Sequence, residues 1–189
     1  IPQYLGVDVE DPPDYAERSL LVNVSSRRYS SHPNELYSAR EHVIQFYDEQ
    51  HPDQFALYGP YWNDRPGLSE MYHYNKFSYD MYETYHGLAE SKSDVYEQHR
   101  FALCFENMTG VRGYVTEKIF DCFRAGTVPI YWGADDITEY VPAGSFIDYR
   151  EFGSPCELHE YLCSMSEAEY LTYIDTAQEF MKSEPDSVT

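Results

Sequence analysis

The chain has 189 residues, enough to bury the core of one domain, and its formal net charge is -20. A surface this acidic excludes a sequence-independent grip on nucleic acid and disfavours binding to an anionic membrane. Any anionic ligand must therefore be met by a local cluster drawn from only 13 Lys and Arg residues.

No apolar run reaches the ~18 residues that a membrane-spanning helix needs, and the N-terminus lacks the pattern of a signal peptide. The chain begins with Ile1 rather than Met, so we expect a fragment or a processed form. Its 4 cysteines include no C-x-x-C pair, which argues against a zinc site or a thioredoxin-like motif. Cys104 and Cys122 occupy apolar positions and are expected to be buried.

The first part of the chain predicts a strand, a helix and a second strand after an irregular lead-in. Residues 1–18 are rich in proline and acidic residues, which is typical of a linker. The apolar run Ser19–Val24 predicts a buried strand. Apolar residues at helical spacing follow, with Asn34 as the expected N-cap, and Phe55–Tyr58 predicts the second strand.

Residues 60–90 are rich in tyrosine and weakly periodic, which indicates a long loop with a helical turn near 78–85. Exposed aromatic rings in such a loop can stack on sugars, but packing is the more common explanation of aromatic residues.

Strands and helices alternate through the second part of the chain. The pattern predicts strands at 101–105, 128–131 and 145–147, and helices at 93–99, 114–125, 157–163 and 167–181. This alternation predicts an α/β fold: a Rossmann-like parallel sheet with helices on both faces. We expect the domain to span 19–182, with a short tail at 183–189.

A strand–loop–helix–strand unit at 101–131 carries the most functional information. Its strand ends at Phe105, a glycine-containing loop follows, and Gly126 is the expected C′ residue of the helix. The loop and the helix N-terminus lie at the carboxyl edge of a parallel sheet, where backbone N–H groups bind anions.

Lys118 and Glu117 stand near the start of this helix. The helix dipole disfavours a cation there, and a bound phosphate would offset the mismatch. An exposed lysine that costs roughly a few tenths of a kcal/mol explains Lys118 equally well. Glu117 could accept hydrogen bonds from ribose hydroxyls, but a glutamate at a helix start is common.

The segment resembles the signature of the family 10 glycosyltransferases, the α1,3/1,4-fucosyltransferases. The resemblance extends from about Leu20 to about Lys182, and the sequence of the matching segment is similar to that of the bacterial branch. The matching motifs are Phe105-Glu106-Asn107, Tyr114-Val115-Thr116-Glu117-Lys118, Gly126-Thr127-Val128-Pro129, Gly133 and residues 142–148.

This resemblance implies one lobe of a two-lobed GT-B fold, the C-terminal lobe that binds the nucleotide sugar. The acceptor lobe, which supplies the catalytic base in the family, is expected outside this chain, so no catalytic residue is assigned within it. The implied partners are the donor GDP-fucose and a glycan acceptor, with no nucleic acid. Neither a cofactor nor a metal is expected.

By the same resemblance, several residues are expected to hold GDP-fucose. Arg40 and Lys118 should contact the diphosphate, although Arg40 by itself would be explained as a surface arginine paired with Glu35 or Glu41. The other expected donor-binding residues are Ser25, Ser26, Tyr58, Gly59, Asn107, Tyr114 and Glu117.

Two alternatives to the donor-binding part of a fucosyltransferase stay open. One is a GDP-binding or interaction module without transferase activity, and the other is a transferase that uses another GDP-sugar. We expect a cytoplasmic protein, peripheral to the membrane in its full-length form, with the Golgi lumen as the alternative.

Overall fold

The computed structural model describes residues 14–63 and 81–183. Within them, five parallel strands form one sheet in the order β2-β1-β3-β4-β5. The strands are β1 (Ser19–Val24), β2 (Phe55–Tyr58), β3 (His99–Phe105), β4 (Val128–Trp132) and β5 (Ile147–Asp148). The predicted α/β fold with a parallel sheet is confirmed, although β5 begins later than the expected strand at 145–147.

Five helices connect and cover these strands in the described part of the chain. They are α1 (Tyr37–Gln50), α2 (Lys92–Glu97), α3 (Glu117–Arg124), α4 (Pro155–Ser164) and α5 (Glu167–Ser183). Short 3-10 helices lie at Pro52–Gln54, Ile137–Glu139, Ala143–Ser145 and Tyr149–Glu151. None of the helices in residues 14–63 and 81–183 has both the length and the apolar character that crossing a bilayer requires.

Each face of the sheet carries its own apolar core, because successive side chains of a strand point to opposite faces. Along β3, Phe101 and Leu103 join one core, and Ala102 and Cys104 join the other. Helices α1 and α4 supply the first core, and α2 and α3 supply the second. The sheet is therefore covered on both faces, as a parallel sheet requires.

Helix α1 begins later than the sequence pattern suggested, so the prediction of Asn34 as its N-cap is wrong. The helix starts at Tyr37, and Leu36 occupies the N-cap position. The backbone of residues 34–36 instead pairs with the loop after β3: Leu36 N–H donates to Asn107 O, and Thr109 N–H donates to Asn34 O. A tertiary contact thus replaces the local cap.

The helix predicted at 114–125 is also shorter at its start. Thr116, at the N-cap position of α3, has an extended backbone, and its amide and hydroxyl both bond to the Glu106 carboxylate. At the other end, Gly126 N–H donates to Phe123 O and Thr127 N–H donates to Cys122 O, which is the Schellman arrangement. Gly126 has φ +62°, so its prediction as the C′ residue is confirmed.

Parts of three sequence predictions lie outside the described residues, namely 1–13 of the lead-in, 64–80 of the tyrosine-rich segment and 184–189 of the tail. The described end of the lead-in contacts the domain: Tyr15 Oη donates to Met165 O, and Arg18 donates to Gly126 O. In the tyrosine-rich segment, Trp62 and Tyr82 are buried in the first core, so packing explains these two rings.

Candidate functional site

The strand order places a topological switch point between β1 and β3. β1 leads to β2 on one side and β3 leads to β4 on the other, so the connections after their carboxyl ends diverge and leave a crevice. A cavity of about 560 Å³ opens there. Its lining residues are Val24, Ser25, Ser26, Arg28, Tyr29, Tyr37, Arg40, Lys92, Tyr96, Asn107, Glu117, Lys118 and Asp121.

Arg40 lies on the cavity wall although it is only 3% exposed. Its Nη1 donates to Phe105 O over 3.5 Å, its Nε has no hydrogen-bond partner, and its guanidinium lies 5.4 Å from the centre of the Tyr37 ring. Burial lowers the pKa of Arg40 from its usual value. The guanidinium is therefore desolvated and keeps an unused donor.

The interpretation of Arg40 as a surface arginine paired with Glu35 or Glu41 is wrong. Glu41 binds Arg27 at 2.6 Å, and the Glu35 carboxylate accepts from the Ser38 amide. Within residues 14–63 and 81–183, Arg40 forms no ion pair. A buried cation without a paired anion is costly to the fold, so a bound anion would stabilise it.

Lys118 reaches the same cavity from the first turn of α3. Its Nζ donates to Glu106 Oε2 at 2.7 Å and to Thr116 Oγ1 at 3.0 Å, and its side chain is 24% exposed. Arg40 and Lys118, on different helices, thus meet at one cavity. The Lys118 partner Glu106 is fully buried and was not among the expected site residues, although it lies inside the matched motif.

The loop between β3 and α3 brings Asn107 and Tyr114 together. Asn107 lines the cavity, and its Nδ2 donates to the Tyr114 hydroxyl at 3.3 Å. Tyr114 is not on the cavity wall itself. The Asp136 carboxylate accepts from the Gly113 amide and from Arg112, which ties this loop to the segment after β4.

The residues expected after the first two strands divide into two groups. Ser25 and Ser26 line the cavity, as does Glu117. Tyr58 and Gly59 do not: the Tyr58 ring stacks on His86, and Gly59 packs against the backbone of Ser25. Tyr58 and Gly59 therefore contact the backbone of the loop that follows β1 and begins at Ser25, and neither residue lines the cavity.

Several residues of the cavity wall were not among the expected site residues. Arg28 follows β1 in the same loop as Ser25, a position that already indicated the carboxyl edge of the sheet. Lys92 and Tyr96 come from the short helix α2, and no local pattern connects that helix to the site. The remaining missed residues are Val24, Tyr29, Tyr37 and Asp121.

Comparison with known proteins shows the family to which the chain belongs. Residues 68–187, more than half of the chain, match the model described as "Glycosyltransferase family 10 (fucosyltransferase) C-term". The chain belongs to glycosyltransferase family 10.

Two curated fucosyltransferases align with part of the chain. An α-(1,3)-fucosyltransferase of Helicobacter pylori is 38% identical over 73 residues, which is 39% of this chain and 15% of the relative. An α-(1,4)-fucosyltransferase of Arabidopsis thaliana is 47% identical over 64 residues, which is 34% of this chain and 16% of the relative. The alignments thus span a small part of each relative.

Solved fucosyltransferases share the fold. An α1,3-fucosyltransferase solved with GDP aligns at a TM-score of 0.57 and 25% identity, covering 86% of this chain and 39% of that chain. Another, solved with GDP-fucose, aligns at 0.59 and 22% identity, covering 95% of this chain and 51% of that chain. These alignments confirm the predicted Rossmann-like lobe of a GT-B family 10 enzyme.

Proposed function

We propose that this chain binds the GDP-fucose donor of an inverting α1,3/1,4-fucosyltransferase that acts on glycans. Arg40 carries the proposal: it lines the switch-point cavity, its guanidinium is desolvated, and its Nε has no hydrogen-bond partner. A guanidinium presents a planar fork of donors that matches two phosphate oxygens, which suits a pyrophosphate.

The cationic side chains that line the cavity favour an anionic ligand. Four cationic side chains line it, whereas the chain as a whole carries a formal net charge of -20. They are Arg28, Arg40, Lys92 and Lys118, and they face the carboxylates of Glu117 and Asp121. Since the α3 N-terminus has no side-chain cap, its amides add a positive partial charge at this point.

The same groups would serve the reaction. In an inverting transfer, a base deprotonates the acceptor hydroxyl while negative charge grows on the β-phosphate of the departing GDP. We propose that Arg40 and Lys118 stabilise that charge, so the reaction needs no metal, and GDP-fucose acts as substrate rather than cofactor. The base and the acceptor contacts belong to a second lobe outside this chain.

The remaining predicted residues would orient the donor. Ser25 and Ser26 have hydroxyls that can bond to phosphate, and Glu117 can accept from sugar hydroxyls. We propose that Asn107 bonds to the ribose or the base, while its amide also donates to the Tyr114 hydroxyl. For Tyr58 and Gly59 we propose an indirect role through the Ser25 loop.

Calorimetric titration of the 189-residue chain tests the proposal. We expect GDP-fucose to bind more tightly than GDP-mannose or a UDP-sugar. Arg40→Met should lower GDP affinity by at least roughly tenfold, the loss expected for a charge-assisted hydrogen bond. Its melting temperature should stay level or rise, because methionine fills the site without a buried charge.

Lys182→Met is the matched control, since it removes an exposed cation from the far end of α5. Unchanged GDP affinity in Arg40→Met would refute the donor site. Equal affinity for GDP-fucose and GDP-mannose would favour a transferase that uses another GDP-sugar. Equal affinity for GDP and GDP-fucose would favour a GDP-binding module without transferase activity.

A further inference from the structure

Glu106 is a fully buried carboxylate directly after β3. It accepts from three groups: the Thr116 amide at 2.8 Å, the Thr116 hydroxyl at 2.8 Å and Lys118 Nζ at 2.7 Å. Its own backbone amide donates to Trp132 O at 2.8 Å, so its Cα is fixed by β4. A buried carboxylate with this many donors is firmly held in place.

The contacts of Glu106 determine how α3 begins. A threonine at the N-cap position ordinarily bonds to an amide of the first helical turn. Here the Thr116 hydroxyl bonds to Glu106 instead, and α3 has no side-chain cap. The first-turn amides of α3, beside the cavity-lining residues Glu117 and Lys118, therefore stay without a competing side-chain acceptor.

Glu106 also fixes the ammonium group of Lys118. A lysine has three donors, and Lys118 uses one on Glu106 and one on Thr116, which leaves one for the cavity. A free lysine side chain would lose much rotamer entropy when it binds a ligand. Because this pairing already restricts the rotamers of Lys118 in the free protein, less entropy is lost on binding. Glu106 is not on the cavity wall and cannot touch the ligand itself.

The segment after β4 leaves room for this carboxylate. A Cβ at Gly133 would overlap the Tyr131 hydroxyl and would come within 2.5 Å of Glu106 Cγ. The Tyr131 hydroxyl in turn accepts from the Ala134 amide, so Tyr131 cannot easily move aside. A residue without a side chain at position 133 is thus a condition for the position of Glu106.

We propose that Glu106 is a positioning residue of the donor site, which holds Lys118 with one donor free for a phosphate oxygen. This inference rests on the proposed function, since it assigns Lys118 to the diphosphate.

A double-mutant cycle with GDP as the ligand tests the inference. In the 189-residue chain, Glu106→Gln keeps the shape of the side chain but removes its charge, and should lower GDP affinity roughly tenfold. If Glu106 acts through Lys118, the double variant with Lys118→Met should bind GDP no more weakly than Lys118→Met alone. Losses that multiply in the double variant would overturn the inference.

Asp136→Asn is the matched control for the cycle. Asp136 also anchors the loop before α3, through Gly113 and Arg112, but it has no bond to Lys118. Any loss of GDP affinity that it causes should multiply with the loss caused by Lys118→Met. If Glu106→Gln does not fold, Thr116→Val replaces it, because it removes the hydroxyl that joins Glu106 and Lys118 without changing the charge.

A measurement without ligand separates this inference from the proposed function. In the free chain, the ammonium protons of Lys118, assigned by their loss in Lys118→Met, should exchange with water roughly tenfold faster in Glu106→Gln than in wild type. Equal exchange rates would overturn the role of Glu106 even where GDP binds. A wild-type chain that does not bind GDP, but shows the difference in exchange, would refute the donor site and leave Glu106 as the anchor of Lys118.

Discussion

Three buried charged side chains near the switch point differ in how their charges are offset. Glu41 binds Arg27 at 2.6 Å, and Glu106 binds Lys118 at 2.7 Å. Among the described residues, Arg40 has the distant Phe105 carbonyl, at 3.5 Å, and the Tyr37 ring, at 5.4 Å, but no paired carboxylate. Pairing offsets the cost of burying these two carboxylates, whereas the charge of the desolvated Arg40 would be offset by the proposed anionic ligand.

His99 makes stability depend on pH. It is buried at the start of β3, where its Nδ1–H donates to Val95 O, and burial lowers its pKa below the usual ~6.5. Below pH ~6.5 the imidazole of His99 becomes protonated in the unfolded chain, whereas in the folded chain it stays neutral until the pH reaches its lowered pKa. The contribution of His99 to stability is therefore complete above pH ~6.5 and is lost as the pH falls towards the folded-state pKa.

We expect the melting temperature to fall between about pH 7 and pH 5, and to fall less in His99→Gln, which does not titrate in this range. Scanning calorimetry at several pH values measures the difference between the slopes. His42→Gln, on the exposed side of α1, is the control and should follow wild type. Parallel slopes for wild type and His99→Gln would contradict the assignment.

At the scale of the element, α3 shows how the two ends of one helix are fixed by different means. Its start is fixed by the tertiary bonds of Thr116 to Glu106, and its end by the local Schellman bonds around Gly126. The start carries the proposed ligand groups, and the end joins α3 to β4. A change at the end should therefore alter stability and leave ligand binding alone.

Gly126→Ala should lower the free energy of unfolding by roughly 1 kcal/mol or more, because alanine is strained at φ +62°. Denaturant titration measures the change, and GDP affinity should remain within about twofold of wild type. Gly144→Ala is the matched control: its Cβ would meet Thr176 at 3.7 Å, an ordinary contact, and no positive φ is imposed there. Equal destabilisation by both variants would contradict the explanation.

At the scale of the whole molecule, the cavity wall is richer in cationic side chains than the acidic chain as a whole. The chain has 33 Asp and Glu against 13 Lys and Arg, yet four cationic side chains line one cavity. The two apolar cores on opposite faces of the sheet must hold the molecule together against the repulsion of this surface. Stability should therefore respond to screening of the surface charge.

Added NaCl should raise the melting temperature, because ions screen the repulsion between like surface charges. We expect an increase of roughly 3 °C, which corresponds to about 1 kcal/mol for a chain of this size, between low salt and about 0.15 M. The gain should level off once the Debye length falls below about 8 Å. A melting temperature that falls or stays constant over this range would show that surface repulsion does not limit stability.

The sequence by itself determined the fold class, most strands and the matched motif, because these depend on local patterns. The apolar runs Ser19–Val24 and Phe55–Tyr58 are strands, because a run of apolar residues is itself the signal for a buried strand. Gly126 ends α3, because glycine adopts the positive φ of a helix end more easily than other residues do. The strand–loop–helix pattern placed Lys118 near the carboxyl edge of the sheet, whereas Arg40 was assigned to the same site only by the family resemblance.

Only the tertiary structure decided where α1 and α3 begin and which polar groups meet. Asn34 pairs with the loop after β3 instead of capping α1, and Thr116 bonds to Glu106 instead of extending α3. The unpaired burial of Arg40, and the absence of Tyr58 from the cavity wall, likewise depend on segments far apart in the chain. Desolvation and long-range hydrogen bonds leave no local pattern, so the sequence could not reveal them.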